Sequence, residues 1–117
     1  IEAADFFGIA SGNKVEDKFE RSGLTAAKSE KVNAPIVQEF PLTLECRVVE
    51  DKEEVYGHHV IGEIVGVLAD EKVLDENGKV DPAKLGAFAY DPFQNGYYAI
   101  GEKAGQAWHT GAGLMKK

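Results

Sequence analysis

Three groups of residues in this chain carry side chains suited to binding chemistry. The first is Ser11-Gly12-Asn13-Lys14, with Lys18 following four residues later. Small residues and backbone amides at a helix start, beside two ammonium groups, can hold an anion such as a phosphate. The pattern matches neither a Walker loop nor Gly-x-Gly-x-x-Gly. A surface turn followed by a short helix accounts for the same residues. The second group is His58-His59, which opens an extended segment after Gly57. Adjacent residues on a strand point to opposite faces, so this pair is badly placed to share one metal ion, and His109 lies far along the chain. One of the two can still meet a ligand at the strand mouth. The third group is aromatic: Tyr90, Phe93, Tyr97 and Tyr98 crowd into one region. Core packing explains them, and so does a flat aromatic ligand. No catalytic triad or carboxylate pair stands out.

The elements that must position these groups are mostly extended. Pro41 to Val49 alternates, with Leu42, Leu44, Cys46 and Val48 on one face and Thr43, Glu45 and Arg47 on the other. That period of two predicts a half-buried strand. His59 to Ala69 is rich in Val and Ile on both faces, with Glu63 the one charge, and predicts a strand buried on both sides. Between them, Glu50-Asp51-Lys52-Glu53-Glu54 is too charged to bury and reads as a loop. Gly62, Ile64 and Gly66 then share a face, where the glycines leave room for a backbone or flat ligand, or mark a bulge.

Elsewhere the signals are shorter. Glu2 to Phe7 predicts one or two helical turns ending at Gly8. Asp17 starts a helix over Lys18–Ser22 that stops at Gly23, and Thr25 to Asn33 reads as loop. Ala34 to Val37 is a short extended piece. Asp70 to Val80 holds an Asn-Gly turn, and its acids miss calcium-loop spacing. Asp81-Pro82 fits an N-cap with proline at the first helical position. Ala87 to Tyr90 and Tyr97 to Ile100 read as extended around a turn at Asp91–Gly96. Gly101 to Trp108 reads as a weak helix, and Thr110 to Lys117 as a fraying tail.

Composition narrows the classes. The 117 residues suit one domain, 1–117, with one modest core. A hydrophobic content of 44% argues against disorder. The net charge of −7 argues against nucleic-acid binding. No apolar run is long enough for a membrane helix. A single cysteine, Cys46, excludes an internal disulfide and makes a cytoplasmic home the default. The first residue is Ile1, without a signal-peptide pattern, which suggests a processed or truncated product.

Several blocks, taken together, resemble a known family. Phe7 to Gly12, Asp17-Lys18-Phe19-Glu20 and Ser22-Gly23-Leu24-Thr25 are similar to the second part of flavin reductase-like, FMN-binding proteins of the flavoredoxin type. Ala34-Pro35, Leu44-Glu45-Cys46 before a basic residue, Gly62-Glu63-Ile64-Val65, Val73 to Lys79 and Tyr97 to Glu102 continue the likeness in the same order. It spans Phe7 to Trp108.

The resemblance implies a mainly β fold, part of a Greek-key split β-barrel with short helices. It implies a homodimer with FMN near the subunit interface, and electron transfer through the flavin, often from NAD(P)H. The loop from Ser11 through Gly12, Asn13 and Lys14 to Lys18 and Phe19 would approach the flavin, with Lys14 or Lys18 near its phosphate or polar edge. His58 or His59 would line the pocket, and Tyr97 or Tyr98 would lie near the ring. The family commonly carries an earlier segment of several strands to which nothing here corresponds, so the likeness is to a C-terminal portion. The spacing from Gly57-His58-His59 to Gly62 is also shorter than in many relatives, where a Gly-Asp-His precedes a longer strand. A sheet lacking strands keeps an unprotected edge, which predicts poor autonomy as a monomer.

Overall fold

The computed structural model describes residues 1–115. Its strands form three separate antiparallel pairs: β1 (Ala26–Lys28) with β2 (Pro35–Val37), β3 (Leu42–Glu54) with β4 (Gly57–Ala69), and β5 (Phe88–Asp91) with β6 (Gly96–Ala99). Two helices, α1 (Glu2–Ile9) and α2 (Lys18–Ser22), precede them, and α3 (Pro82–Leu85) lies before β5. No helix among the described residues is long and apolar enough to cross a membrane.

The long hairpin β3–β4 dominates. At about 3.3 Å per residue, its 13-residue strands extend roughly 43 Å. The charged stretch Glu50–Glu54, expected as a loop, is strand, and the turn is instead Val55-Tyr56 before Gly57 at φ 128°. Charge does not end the strand because both faces of the arm meet water here. Across the ladder, Asp51 contacts His58 and Arg47 pairs with Glu63 at 2.5 Å. Two register shifts, at Glu45/Cys46 and Val48/Glu50, interrupt the pairing.

The burial expected of this hairpin is overturned. Glu45 is buried and the Leu44 face is open, while β4 is exposed over most of its length instead of buried on both sides. The apolar pattern of β4 demands a covering layer, and no element of the described chain lies along it. Gly62 and Gly66 do not present a common face either. A Cβ on Gly62 would meet Cys46, and one on Gly66 would meet Glu45. Cys46 and Glu45 are neighbours whose side chains leave β3 on opposite sides. The bulge reading of these glycines is the one that applies.

The shorter elements differ in detail. Helix α1 runs through Gly8 to Ile9. The segment expected as loop from Thr25 contains β1, which is satisfied by pairing with β2. Asp17, α2 and the left-handed Gly23 stand as the sequence reads, and Asp81 caps α3 by accepting from Ala83 N–H and Lys84 N–H. The helix expected over Gly101–Trp108 is absent. In its place Thr110 and Gln106 exchange side-chain and backbone hydrogen bonds around a turn, as two glycines disfavour helix there. Ala112–Met115 forms a 3-10 turn; the fraying expected at Lys116 and Lys117 lies outside the described residues.

The core is slight. Val73 is the one buried apolar side chain among the described residues. The radius of gyration is 18.0 Å, against about 13 Å for a compact chain of this length. Among the described residues the chain is therefore a set of hairpins with open apolar faces.

Candidate functional site

The Ser11–Lys14 loop is built by the two helices that flank it. α1 ends when Ala10 N–H closes on the Phe6 carbonyl, and the chain then folds back on Ser11, whose carbonyl accepts from Lys14 N–H and Val15 N–H. Ser11 Oγ also accepts from Asn13 N–H at 3.3 Å. Among the described residues, Gly12 N–H and the Lys14 ammonium have no internal partner. They remain available, with the exposed Ser11 hydroxyl, as donors to an outside anion.

Lys18 is held closer in. Its Nζ donates to the Phe7 carbonyl at 3.0 Å and lies 5.3 Å from the centre of the Phe7 ring. A cation at the C-terminal turn of α1 meets the negative end of the helix dipole. An ammonium has three donors, so this contact leaves others for a ligand. Phe7 packs edge-on against Phe19, with centroids 5.6 Å apart, which fixes α1 against α2. Arg21 bonds Asp17 at 2.9 Å and holds its carboxyl below the ordinary range, so that acid is neutralised locally.

The β5–β6 hairpin approaches from the other end of the sequence. Its turn is closed by Asp91, which accepts from Phe93 N–H and Gln94 N–H, and by Asn95 at φ 52°, a residue type that tolerates left-handed backbone. Tyr97 is half-buried. Its ring stands edge-on to Phe88 at 5.5 Å and near Tyr90 at 5.6 Å, and its hydroxyl donates to Asp5 Oδ1 in α1 at 2.8 Å. That hydrogen bond, with some burial, raises the Tyr97 phenol above its ordinary value. Tyr98 points the other way along the strand and is half exposed.

The structure thus gathers Ser11, Gly12, Asn13, Lys14, Lys18 and Phe19 in one unit and brings Tyr97 to it. Tyr98 lies on the opposite face of β6. His58 and His59 stand at the tip of the β3–β4 arm, His58 against Asp51 and His59 across from Lys52. Among the described residues, β3 and β4 contact one another far more than any other element. Asp5 was not among the sequence candidates. Its partner lies 92 residues away, and nothing local in an amphipathic first turn announces so distant a contact.

The donor set at Ser11–Lys18 suits a phosphate ester: a hydroxyl, a free amide and two ammonium groups. The aromatic cluster offers ring edges and one exposed face in Tyr98. These residues fit the phosphate half of a flavin nucleotide better than its ring.

The chain superposes on flavoredoxin of Desulfovibrio vulgaris (Miyazaki F) with a TM-score of 0.86 and 38% identity, covering 95% of this chain and 58% of that one. It superposes on a solved flavin reductase-type structure with a split barrel domain from Shewanella frigidimarina, with a TM-score of 0.73 and 29% identity over 92% of this chain and 54% of that one. A protein of Archaeoglobus fulgidus is 41% identical over 76 residues, 63% of this chain and 40% of its own length. The chain therefore spans about half the length of these relatives. The architecture is mainly β and of the split-barrel kind. The family model for the flavin reductase like domain matches residues 1–90, and the chain belongs to that family.

Proposed function

We propose that this chain forms part of an FMN-binding redox protein. The reading rests chiefly on its likeness to flavoredoxin over 95% of its length. When bound, the flavin would supply the redox chemistry, accepting electrons from NAD(P)H or another donor and passing them on. The chain's own part is to hold and orient. Ser11, Gly12 N–H and Lys14 would bind the phosphate, with Lys18 adding charge from the end of α1. Phe19 would close the loop's apolar side. Tyr98, or the Phe88–Tyr97 pair through its edge, would border the ring.

The partner in this reading is a second copy of the chain. The arm's apolar residues Val60, Ile61 and Ile64 are exposed in one copy, and a partner would cover them. The same contact would carry His58 and His59 toward the partner's flavin-binding loop. The setting proposed is cytoplasmic.

A second reading has support in the near absence of a core. On that reading the flavin site closes only when further barrel strands join these hairpins, and this chain by itself supplies barrel and dimer contacts or a non-catalytic flavin module. Steady-state NAD(P)H oxidation in the presence of FMN separates the two. Turnover that depends on the protein supports the first reading. Flavin binding without turnover supports the carrier module, and neither binding nor turnover supports the structural role.

A further inference from the structure

Residues 1–23 form a self-contained unit. Inside it, Phe7 packs on Phe19, Lys18 reaches the Phe7 carbonyl, and Arg21 pairs with Asp17. Among the described residues, Leu24 N–H donates to Ser22 Oγ at the unit's own end, and the one hydrogen bond to the chain beyond Leu24 is that from the Tyr97 hydroxyl to Asp5 Oδ1. Packing offers little substitute. An apolar groove of about 380 Å³ lies where the start of α1 faces Phe40, Leu42 and Phe88. The orientation of α1 relative to β6 therefore depends on one directional contact.

That contact is well made. A phenol donating to a carboxylate is a charge-assisted bond, stronger than a neutral one. Phe88 and Tyr90 hold the Tyr97 ring from two sides, so its hydroxyl is aimed before Asp5 arrives. From Asp5 to Ala10 the helix advances about 7.5 Å. A rotation of α1 about an unpinned Asp5 would swing the Ser11–Lys14 loop directly.

We infer that Asp5 and Tyr97 are positioning residues whose hydrogen bond sets the Ser11–Lys14 loop against the β5–β6 hairpin, and through it the affinity for a phosphate-bearing ligand. This rests on the flavin reading for the ligand and on geometry alone for the loop. Tyr97 serves through its hydroxyl here, which leaves Tyr98 as the aromatic with a free face.

The test uses the full chain and two readouts. Limited trypsin digestion follows cleavage after Lys14, with cleavage after Lys52 in the arm as the internal control. FMN affinity is measured in parallel by flavin fluorescence. Tyr97→Phe and Asp5→Ala should each speed cleavage after Lys14 about fivefold, the factor expected for losing one net hydrogen bond, and leave Lys52 unchanged. FMN Kd should rise by a similar factor. Asp5→Asn keeps an acceptor oxygen but loses the charge and should fall between wild type and Asp5→Ala in both readouts. The double variant Asp5→Ala/Tyr97→Phe should be no worse than either single change. Unchanged Lys14 cleavage in both single variants would overturn the inference, as would an equal rise at Lys52, which signals general loosening. A wild-type chain that binds no FMN would count against the flavin reading, while the cleavage result still judges the tie.

Discussion

Ser29 donates its hydroxyl proton to Glu45 Oε1 across 2.5 Å, linking the β1–β2 loop to the base of the long arm, and both residues are buried. Ser29 Oγ in turn accepts from Lys31 N–H and Val32 N–H at 3.1 and 3.0 Å. The other carboxylate oxygen of Glu45 lies over Gly66, where a side chain would stand. This small polar cluster holds Glu45 inward near the start of β3.

Ser29→Ala should destabilise the chain by about 1–3 kcal/mol, because it leaves a buried carboxyl without its donor. Gly66→Ala should do so by a clash, since its methyl would meet the Glu45 carboxylate and also stand 3.1 Å from Lys31 Cγ. Urea unfolding of each variant measures both effects. A midpoint equal to wild type for Ser29→Ala would show that the cluster contributes nothing.

The acid limb of stability should carry a contribution from Asp75. Its carboxylate accepts from Lys79 N–H at 2.9 Å and Asn77 N–H at 2.8 Å, and these bonds, the one to Lys79 foremost, lower its pKa in the folded chain. A lowered folded pKa means the contribution is complete above the unfolded value of about 3.9 and is lost as pH falls through the folded one. Asp75→Asn should flatten stability against pH below about pH 4 and leave the neutral region's slope alone. An acid limb identical to wild type would remove Asp75 from the account.

The two lysines of the loop should separate. Lys18 bonds the Phe7 carbonyl, so Lys18→Ala should lower the melting temperature as well as weaken FMN binding, the latter roughly tenfold for a lost charge-assisted contact. Lys14 makes no internal bond among the described residues, so Lys14→Ala should weaken FMN binding while the melt stays put. Isothermal titration with FMN, beside thermal scans, reads both. Unchanged affinity in both variants would take the phosphate away from this loop.

The arm should mediate self-association. A stable interface buries about 800 Å² on each partner, and two 13-residue strands with apolar residues on open faces can supply that. The wild-type chain should sediment as a dimer at micromolar concentration, and Val60→Asp should shift it toward monomer. Monomeric wild-type material with a sharp, cooperative melt would contradict this.

Much of this was legible in the sequence where the determinants are local. Asp17 and Gly23 bracket α2, Asp81-Pro82 starts α3, and the turn from Asp91 to Gly96 joins two extended pieces, because caps and turns depend on neighbouring residues. The arm was misread where the answer depends on what lies across it. The alternation from Leu42 to Val48 is real, yet the Ser29 bond draws Glu45 of the polar side inward, next to a register shift at Glu45/Cys46, while Arg47 stays exposed. Charges from Glu50 to Glu54 ordinarily mean loop, and they sit in strand because no layer there needs to be dry. Of the candidate site, the Ser11–Phe19 cluster is contiguous in sequence and came together. The Asp5–Tyr97 contact spans the chain, and no short-range pattern encodes it.

The most direct test of the central claim is a visible absorbance scan of the purified chain after incubation with FMN and gel filtration. The account predicts a flavin band that co-elutes with the protein and is lost when Lys14 and Lys18 are both changed to Ala. Protein that elutes without any flavin band, at full chain mass and in folded form, would contradict the claim that these residues hold the cofactor.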